Sequence, residues 1–141
     1  NTGDQSASTN TGYQSASTNT GDQSASTNTG DQSASTNTGY QSASTNTGDQ
    51  SASTNTGDQS ASTNTGYQSA STVEGKESVA MAIGYESKAR GALGCWIVVA
   101  EWEGGYDGYH IKDVQCAKVD GEIIKAGTFY SLKNSVFVEV Q

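Results

Sequence analysis

NTGDQSASTNTGYQSAST, residues 1–18, is one nonapeptide written twice, and six further copies follow without a break to Thr72. Eight of the nine positions never vary. The fourth reads Asp4, Tyr13, Asp22, Asp31, Tyr40, Asp49, Asp58 and Tyr67. A short fixed period of this fidelity marks a stacked repeat architecture in which each unit contacts its neighbours along one axis. Within a unit, Asn-Thr-Gly-Asp supplies turn residues: Gly reaches positive φ freely, and Asn and Asp bond nearby backbone. Gln-Ser-Ala-Ser-Thr carries no proline and can extend. One nonapeptide is too short to close a coil that must turn corners, so two units per coil predict a flat two-sided roll. Four such coils at ~4.8 Å each make a rod of about 19 Å from residues 1–72. A triangular coil of three units is the alternative, because the Asp-Tyr-Asp rhythm has that period and would stack Tyr13, Tyr40 and Tyr67 in one column. Strand alternation puts Ser6 and Ser8 on one face and Ala7 and Thr9 on the other, and leaves open which face turns inward.

Composition narrows the function. Residues 1–72 contain eight Ala and three Tyr, and no Val, Ile, Leu, Met, Phe, Trp or Cys. Whichever face is inside, the interior is a thin layer of small groups whose hydroxyls need partners, since a buried unsatisfied one costs ~1–3 kcal/mol. The repeats carry five Asp and no Lys or Arg, within a chain of net charge −8. That balance excludes a nucleic-acid partner, whose phosphates require basic side chains. No apolar run approaches the ~20 residues of a membrane helix, so no membrane insertion is expected. The chain opens inside a repeat without a methionine, as a processed or trimmed chain would.

The period outlasts its residues. Val73–Met81 (VEGKESVAM) keeps Gly75 and Ser78 in register, and Ala82–Arg90 (AIGYESKAR) keeps Gly84, Tyr85 and Ser87. The stretch SVAMAIGYESKARGALG resembles the YadA-like, haemagglutinin-type head repeats of trimeric autotransporter adhesins. Their motif S-V-A-I-G-x-x-S-x-A-x-G is met by Ser78, Val79, Ala80, Ile83, Gly84, Ser87, Ala89 and Gly91. Ser/Ala/Gly-rich repeats of phage tail fibres look similar. The resemblance is best over residues 73–94. It implies a left-handed parallel β-roll, a homotrimer, an adhesive surface for a host-surface or glycan ligand, and a place at the cell surface, outside the cell or on a virion. The family's repeat is longer than this nonapeptide, and Met81-Ala82 is an insertion relative to its motif. Lys88 and Arg90 in the places of Ala7 and Thr9 favour Ser inward, while Val79 and Met81 in the equivalent places favour the opposite.

From Gly91 the pattern is that of short antiparallel strands. Cys95–Trp102 alternates, with Trp96, Val98, Ala100 and Trp102 on one face and Cys95, Ile97, Val99 and Glu101 on the other. Gly104 to Gly108 reads as a loop, and Tyr109–Val119 as a strand bulged near Asp113. Asp120-Gly121 is a hairpin signal. Glu122–Lys125, Thr128–Leu132 and Ser135–Val140 are expected strands, with Ala126-Gly127 and Lys133-Asn134 as turns. The expected fold class is therefore all-β: a parallel β-solenoid over 1–90, degenerate from 73, with a small β-meander over 91–141 that caps the open end and joins subunits.

Candidate chemistry is sparse. His110 is the single histidine, and with Cys95 and Cys116 it does not make four zinc ligands, nor is there a CxxC spacing. The two cysteines read as buried thiols, or as a disulfide if their strands are neighbours. The Asp column is similar to calcium-binding nonapeptides, but each unit has one glycine and Tyr replaces Asp in three of eight. Thr9-Asn10-Thr11 recurs as a T-x-T array, which resembles ice-binding faces of insect antifreeze proteins. Trp96, Trp102, Tyr106 and Tyr109 fit either core packing or a sugar-stacking platform. Glu101 and Glu103 are a carboxylate pair without a visible pocket. No catalytic, cofactor-binding or metal residue is expected, and the chain reads as a non-enzymatic structural or adhesive fibre segment. The alternative is a surface or ligand binder acting on ice through the T-x-T array or on carbohydrate through the C-terminal aromatics.

Overall fold

A computed structural model describes residues 1–141. Every repeat contributes one short strand: β1 (Ala7–Asn10), β2 (Ala16–Asn19), β3 (Ala25–Asn28), β4 (Ala34–Asn37), β5 (Ala43–Asn46), β6 (Ala52–Asn55), β7 (Ala61–Asn64) and β8 (Ala70–Val73). The degenerate units add β9 (Val79–Ala82) and β10 (Lys88–Gly91). They are followed by β11 (Trp96–Gly105), β12 (Gly108–Lys118), β13 (Phe129–Lys133) and β14 (Val136–Val140). Odd strands β1 to β11 pair in parallel in one sheet and even strands β2 to β10 in the other. Partners lie two units apart, Ala7 opposite Ala25 and Ala16 opposite Ala34. The coil is thus two units long, and the three-unit alternative falls. Tyr13 and Tyr67 share one corner column, while Tyr40 lies at the other corner. The chain is an all-β, mostly parallel β-solenoid with a small antiparallel C-terminal region. No helix is long and apolar enough to cross a membrane.

The open question of facing resolves in favour of serine. Along β3 to β7 the second and fourth strand residues, Ser and Asn, are buried, while Ala is exposed and Thr half-buried. Asparagine therefore closes the strand rather than opening the turn. Its amide suits that place because it both donates and accepts. The Nδ2 of Asn19 donates to the carbonyl of Ala25 at 2.6 Å across the corner. Its equivalent Asn37 bonds Ala43 in the same way. The Oδ1 receives the hydroxyl of the preceding strand's serine: Ser17 to Asn28 at 3.2 Å, Ser35 to Asn46 at 3.1 Å, Ser44 to Asn55 at 3.0 Å. These bonds join the two sheets through the interior. A second serine column works along the axis, with the N–H of Ser33 donating to Ser51 Oγ at 3.0 Å and so on coil by coil.

The turn residues trade roles relative to the sequence reading. Gln, not Gly, takes the left-handed conformation, with φ of 55° at Gln23, Gln32 and Gln50. The repeat glycines have ordinary φ and are required by contact. A Cβ on Gly48 would stand 2.2 Å from the carbonyl oxygen of Gly30, and one on Gly57 2.0 Å from that of Gly39. Stacked corners touch backbone to backbone, and Gln takes the strain because its N–H is thereby aimed at the next coil (Gln32 N to Asp49 O, 2.8 Å).

Larger apolar residues enter where the parallel run ends. β12 folds back antiparallel on β11, β13 adds antiparallel to β10, and β14 follows β13. Val73, Ala80, Ala89, Ile97, Val99, Val119, Tyr130 and Leu132 form a contiguous buried cluster between them. Val79 and Met81 turn outward and Ala80 and Ala82 inward, in the same phase as outward Lys88 and Arg90. The register shift in the β11–β12 pair leaves Lys112 unpaired beside Asp113, where the bulge was expected. Glu122–Lys125 is not a strand, however. The Asp120 carboxylate accepts from the N–H groups of Glu122, Ile123 and Ile124 at 2.9, 2.9 and 3.0 Å, which turns Asp120-Gly121 into a tight local loop instead of a hairpin. The last hairpin turns at Asn134-Ser135, both at positive φ, one residue later than Lys133-Asn134.

Two substitutions separate the roles of the corner residues. Gly48→Ala should lower the melting temperature markedly, because the methyl meets backbone that cannot yield. Gln50→Gly should cost far less, since relief of left-handed strain offsets the two exposed side-chain bonds lost, to Gln32 and Gln68. Thermal unfolding followed by circular dichroism checks the order, and Gln50→Gly as the more damaging change would contradict it.

Candidate functional site

Three surfaces present chemistry. On the repeats, the outward Ala and Thr of each strand and the exposed Thr that follows it stand in register from coil to coil. The N–H of that following Thr joins the ladder (Thr29 N to Asn10 O, 2.9 Å), so both threonines of each T-N-T lie on the outer face with Asn inward. At the corners the Gln amides form an exposed ladder, Gln14 to Gln32 at 2.9 Å and Gln41 to Gln59 at 3.1 Å. The Asp carboxylates are engaged in the same stacking: Asp22 Oδ1 accepts the N–H of Tyr40 at 2.8 Å, Asp31 that of Asp49 at 2.9 Å, and Asp58 that of Lys76 at 2.6 Å. A two-unit coil divides the five aspartates between two corners, and no three His, Cys, Asp or Glu side chains gather as a metal site.

The second surface is the outer face of the sheet at its C-terminal end. Cross-strand register aligns Val79 with Trp96, and Met81 with Val98 and Cys116. It also aligns Ala100 with Val114, and Trp102 with Ile111. Trp96, Val79, Ile111 and Val114 are exposed. The tryptophans do not enter the core, contrary to the packing expected of alternating aromatics. The roll interior is sized for Ser, Asn and Ala and admits the Cys95, Ile97, Val99 and Glu101 face instead. Nor do the four C-terminal aromatics meet in one platform. Trp96 and Trp102 are separated along an extended strand by about 20 Å. Trp102 bonds the carbonyl of Ile83 through Nε1 at 2.9 Å, and Tyr106 projects from the hairpin tip. His110 lies exposed on β12, opposite Glu103. Cys95 is buried, Cys116 is exposed, and both are free thiols.

The third surface is a tyrosine corner. Tyr67 and Tyr85 meet edge to face with ring centroids 5.7 Å apart, and Tyr85 and Tyr109 lie 4.4 Å apart at a 47° tilt. With Asp49, Gln50 and Gln68 they line a shallow concavity of about 220 Å³. Asp49, Tyr67 and Tyr85 are successive members of one column, and Tyr109 is brought over them by the β11–β12 hairpin. The Tyr109 phenol packed beside it, with burial and the neighbouring Glu86 carboxylate, pushes the Tyr85 phenol up to about 12. Tyr85, Asp49 and Gln68 are not legible as site residues in the sequence, although the two-coil spacing of Asp49 and Tyr85, with Gln68 next to the Tyr67 between them, carries the signal once coil length is known.

Glu101 braces these surfaces from within. Its Oε1 and Oε2 accept the N–H groups of Asn134 and Ser135, each at 2.8 Å, and Lys112 approaches Oε1 at 3.4 Å. The backbone bonds from Ser135 and Asn134, with the Lys112 charge, hold this carboxyl below the usual glutamate range. Glu101 and Glu103, neighbours in sequence, do not converge on a pocket as a pair: the first is buried and the second exposed. Comparison with family models, with curated proteins and with solved structures finds no match.

Because its folded-state pKa is depressed, Glu101 contributes stability that is fully present above the ordinary glutamate pKa of about 4.3 and is lost as pH falls through the folded value. Glu101→Gln should therefore melt below the wild type at pH 7, and the gap should narrow on acidification below about pH 4. A gap that stays constant down to about pH 3 would contradict the assigned role.

Proposed function

We propose that the chain is a non-catalytic structural and adhesive fibre segment, displayed at a cell surface, outside the cell or on a virion, and assembled as a homotrimer through the outer face of β9, β11 and β12. The single observation that carries this reading is that face. A chain whose repeats hold no large aliphatic side chain from Asn1 to Thr72 exposes Val79, Trp96, Ile111 and Val114 together at one end. Apolar surface gathered in this way marks an interaction site, at roughly 25 cal/mol per Å² removed from water. The polar repeats then project from the joined ends as a stiff, regular display surface. Adhesin-like and phage tail-fibre-like roles both fit a rod of this kind, with the resemblance of residues 73–94 as their further support.

Light scattering of the purified chain at micromolar concentration is expected to give the mass of three copies. Trp96→Ala should shift it toward one copy and lower the melting temperature. Trp96 is 44 % exposed in the single chain and lies outside the buried apolar cluster, so the truncated chain is expected to stay folded by circular dichroism. A stable wild-type monomer would overturn the trimer. It would favour the second reading, ice binding by a monomer through the outward threonine rows, for which their register from coil to coil is the supporting observation.

A further inference from the structure

The tyrosine corner combines three aromatic rings with a carboxylate that no cation neutralises. Tyr67 and Tyr109 each keep about half of their surface exposed, at 49 % and 53 %. Tyr67 and Tyr109 each meet only one other ring, that of Tyr85, so each keeps a face that no aromatic contact uses. Aromatic faces carry negative charge density and attract cations positioned over them. Asp49 uses Oδ1 to accept the N–H of Tyr67 at 2.9 Å, and its second oxygen has no partner in the protein. Glu86 adds a further carboxylate at the rim, bonded by Gln68 Nε2 at 2.9 Å. The chain's ion pairs, Lys112–Glu101 and Lys125–Glu139, lie elsewhere, and residues 1–72 contain no Lys or Arg at all. The Gln50–Gln68 ladder, 3.3 Å between amides, gives the concavity a fixed polar floor.

We propose that this concavity binds an organic cation, an alkylammonium head of the trimethylammonium type, seated against Tyr67, Tyr85 and Tyr109 with Asp49 beside it. The chemistry decides the class. A neutral sugar would use the rings and amides equally well, but the free carboxylate oxygen and a lining that contains no Lys or Arg single out a positive ligand. The chain's net charge of −8 draws cations toward it from further out. A volume of about 220 Å³ holds one small head group. The site is built within one chain and stands whether or not the trimer of the preceding section forms.

The test is a titration of the full chain, uniformly ¹⁵N-labelled, with choline chloride, followed by amide chemical shifts. Saturable shifts are expected at Tyr67, Gln68 and Tyr85, with a Kd on the order of millimolar for partly exposed cation–π contacts. The neutral isostere 3,3-dimethylbutan-1-ol and N-acetylglucosamine should give none. Tyr67→Asp is the informative variant, because Asp occupies this place in five of the eight units and the fold already accommodates it. It removes a ring while adding negative charge, and should weaken choline binding about threefold or more. Tighter binding by Tyr67→Asp would show charge alone at work and overturn the cage. Equal shifts with the neutral isostere would show an apolar pocket, shifts with N-acetylglucosamine alone a sugar site, and the absence of saturable shifts no site. Each of these results refutes the proposal.

Discussion

Two sheets that approach so closely that, through the repeats, the space between them holds only serine and asparagine set the terms for the rest of this molecule. A polar interior is stable only when its donors and acceptors are paired, because an orphaned group costs more than a hydrogen bond returns. Asparagine at the strand end meets that condition by bonding the corner with its nitrogen and the opposite serine with its oxygen. Asn10 and Asn28 at Nδ2 and Asn64 at Oδ1 lack a partner, and mark where the network is weakest. Each bond spans a fixed sequence separation, six for the corner and eleven for the cross-sheet contact. A substitution or insertion would break bonds in two coils at once. The near-perfect repetition of residues 1–72 follows from that constraint as readily as from any role for the individual side chains.

The same narrowness explains the C-terminal end. Polar coils bury little apolar surface, so the stack gains its cohesion from the backbone ladder, from the serine and glutamine columns and from the apolar cluster that closes it. Ile97, Val99, Val119, Tyr130 and Leu132 fill the last coil, where antiparallel strands replace parallel ones and the sheets no longer have to accept another identical unit. Indole rings cannot enter the roll, so Trp96 and Trp102 are left on the outer face. Function is thereby displaced to the surface: an apolar face suited to subunit contact, and a tyrosine corner created where the hairpin leans over the repeat column.

Much of the architecture was legible in the sequence. The nonapeptide period implied a stacked parallel roll, the turn-and-strand division located the strands, and the phase slip near Asp113 located the bulge. What the sequence withheld were choices made by packing. Glycine and glutamine exchanged their expected roles because propensity describes an isolated turn, whereas stacked corners at van der Waals contact exclude a Cβ at Gly and place the left-handed bend at Gln. The Asn side chain suits turns, yet its amide is worth more inside, where it both donates and accepts. Asp120-Gly121 carried a hairpin signal that the aspartate's own bonds to three backbone N–H groups diverted. The candidate site was the least legible part, since Asp49, Tyr67, Tyr85 and Tyr109 come together only through the coil length and the hairpin's path.

Polar ladders hold in register a chain segment that has no large aliphatic side chain. Amide hydrogen exchange read residue by residue over 1–72 tests it most directly. Slow exchange is expected at the strand amides of Ala and Thr and also at the corner amides of Gln, whose N–H groups bond the next coil (Gln23 N to Tyr40 O, 2.7 Å). Exchange at random-coil rates throughout residues 1–72, with protection confined to 95–141, would contradict it.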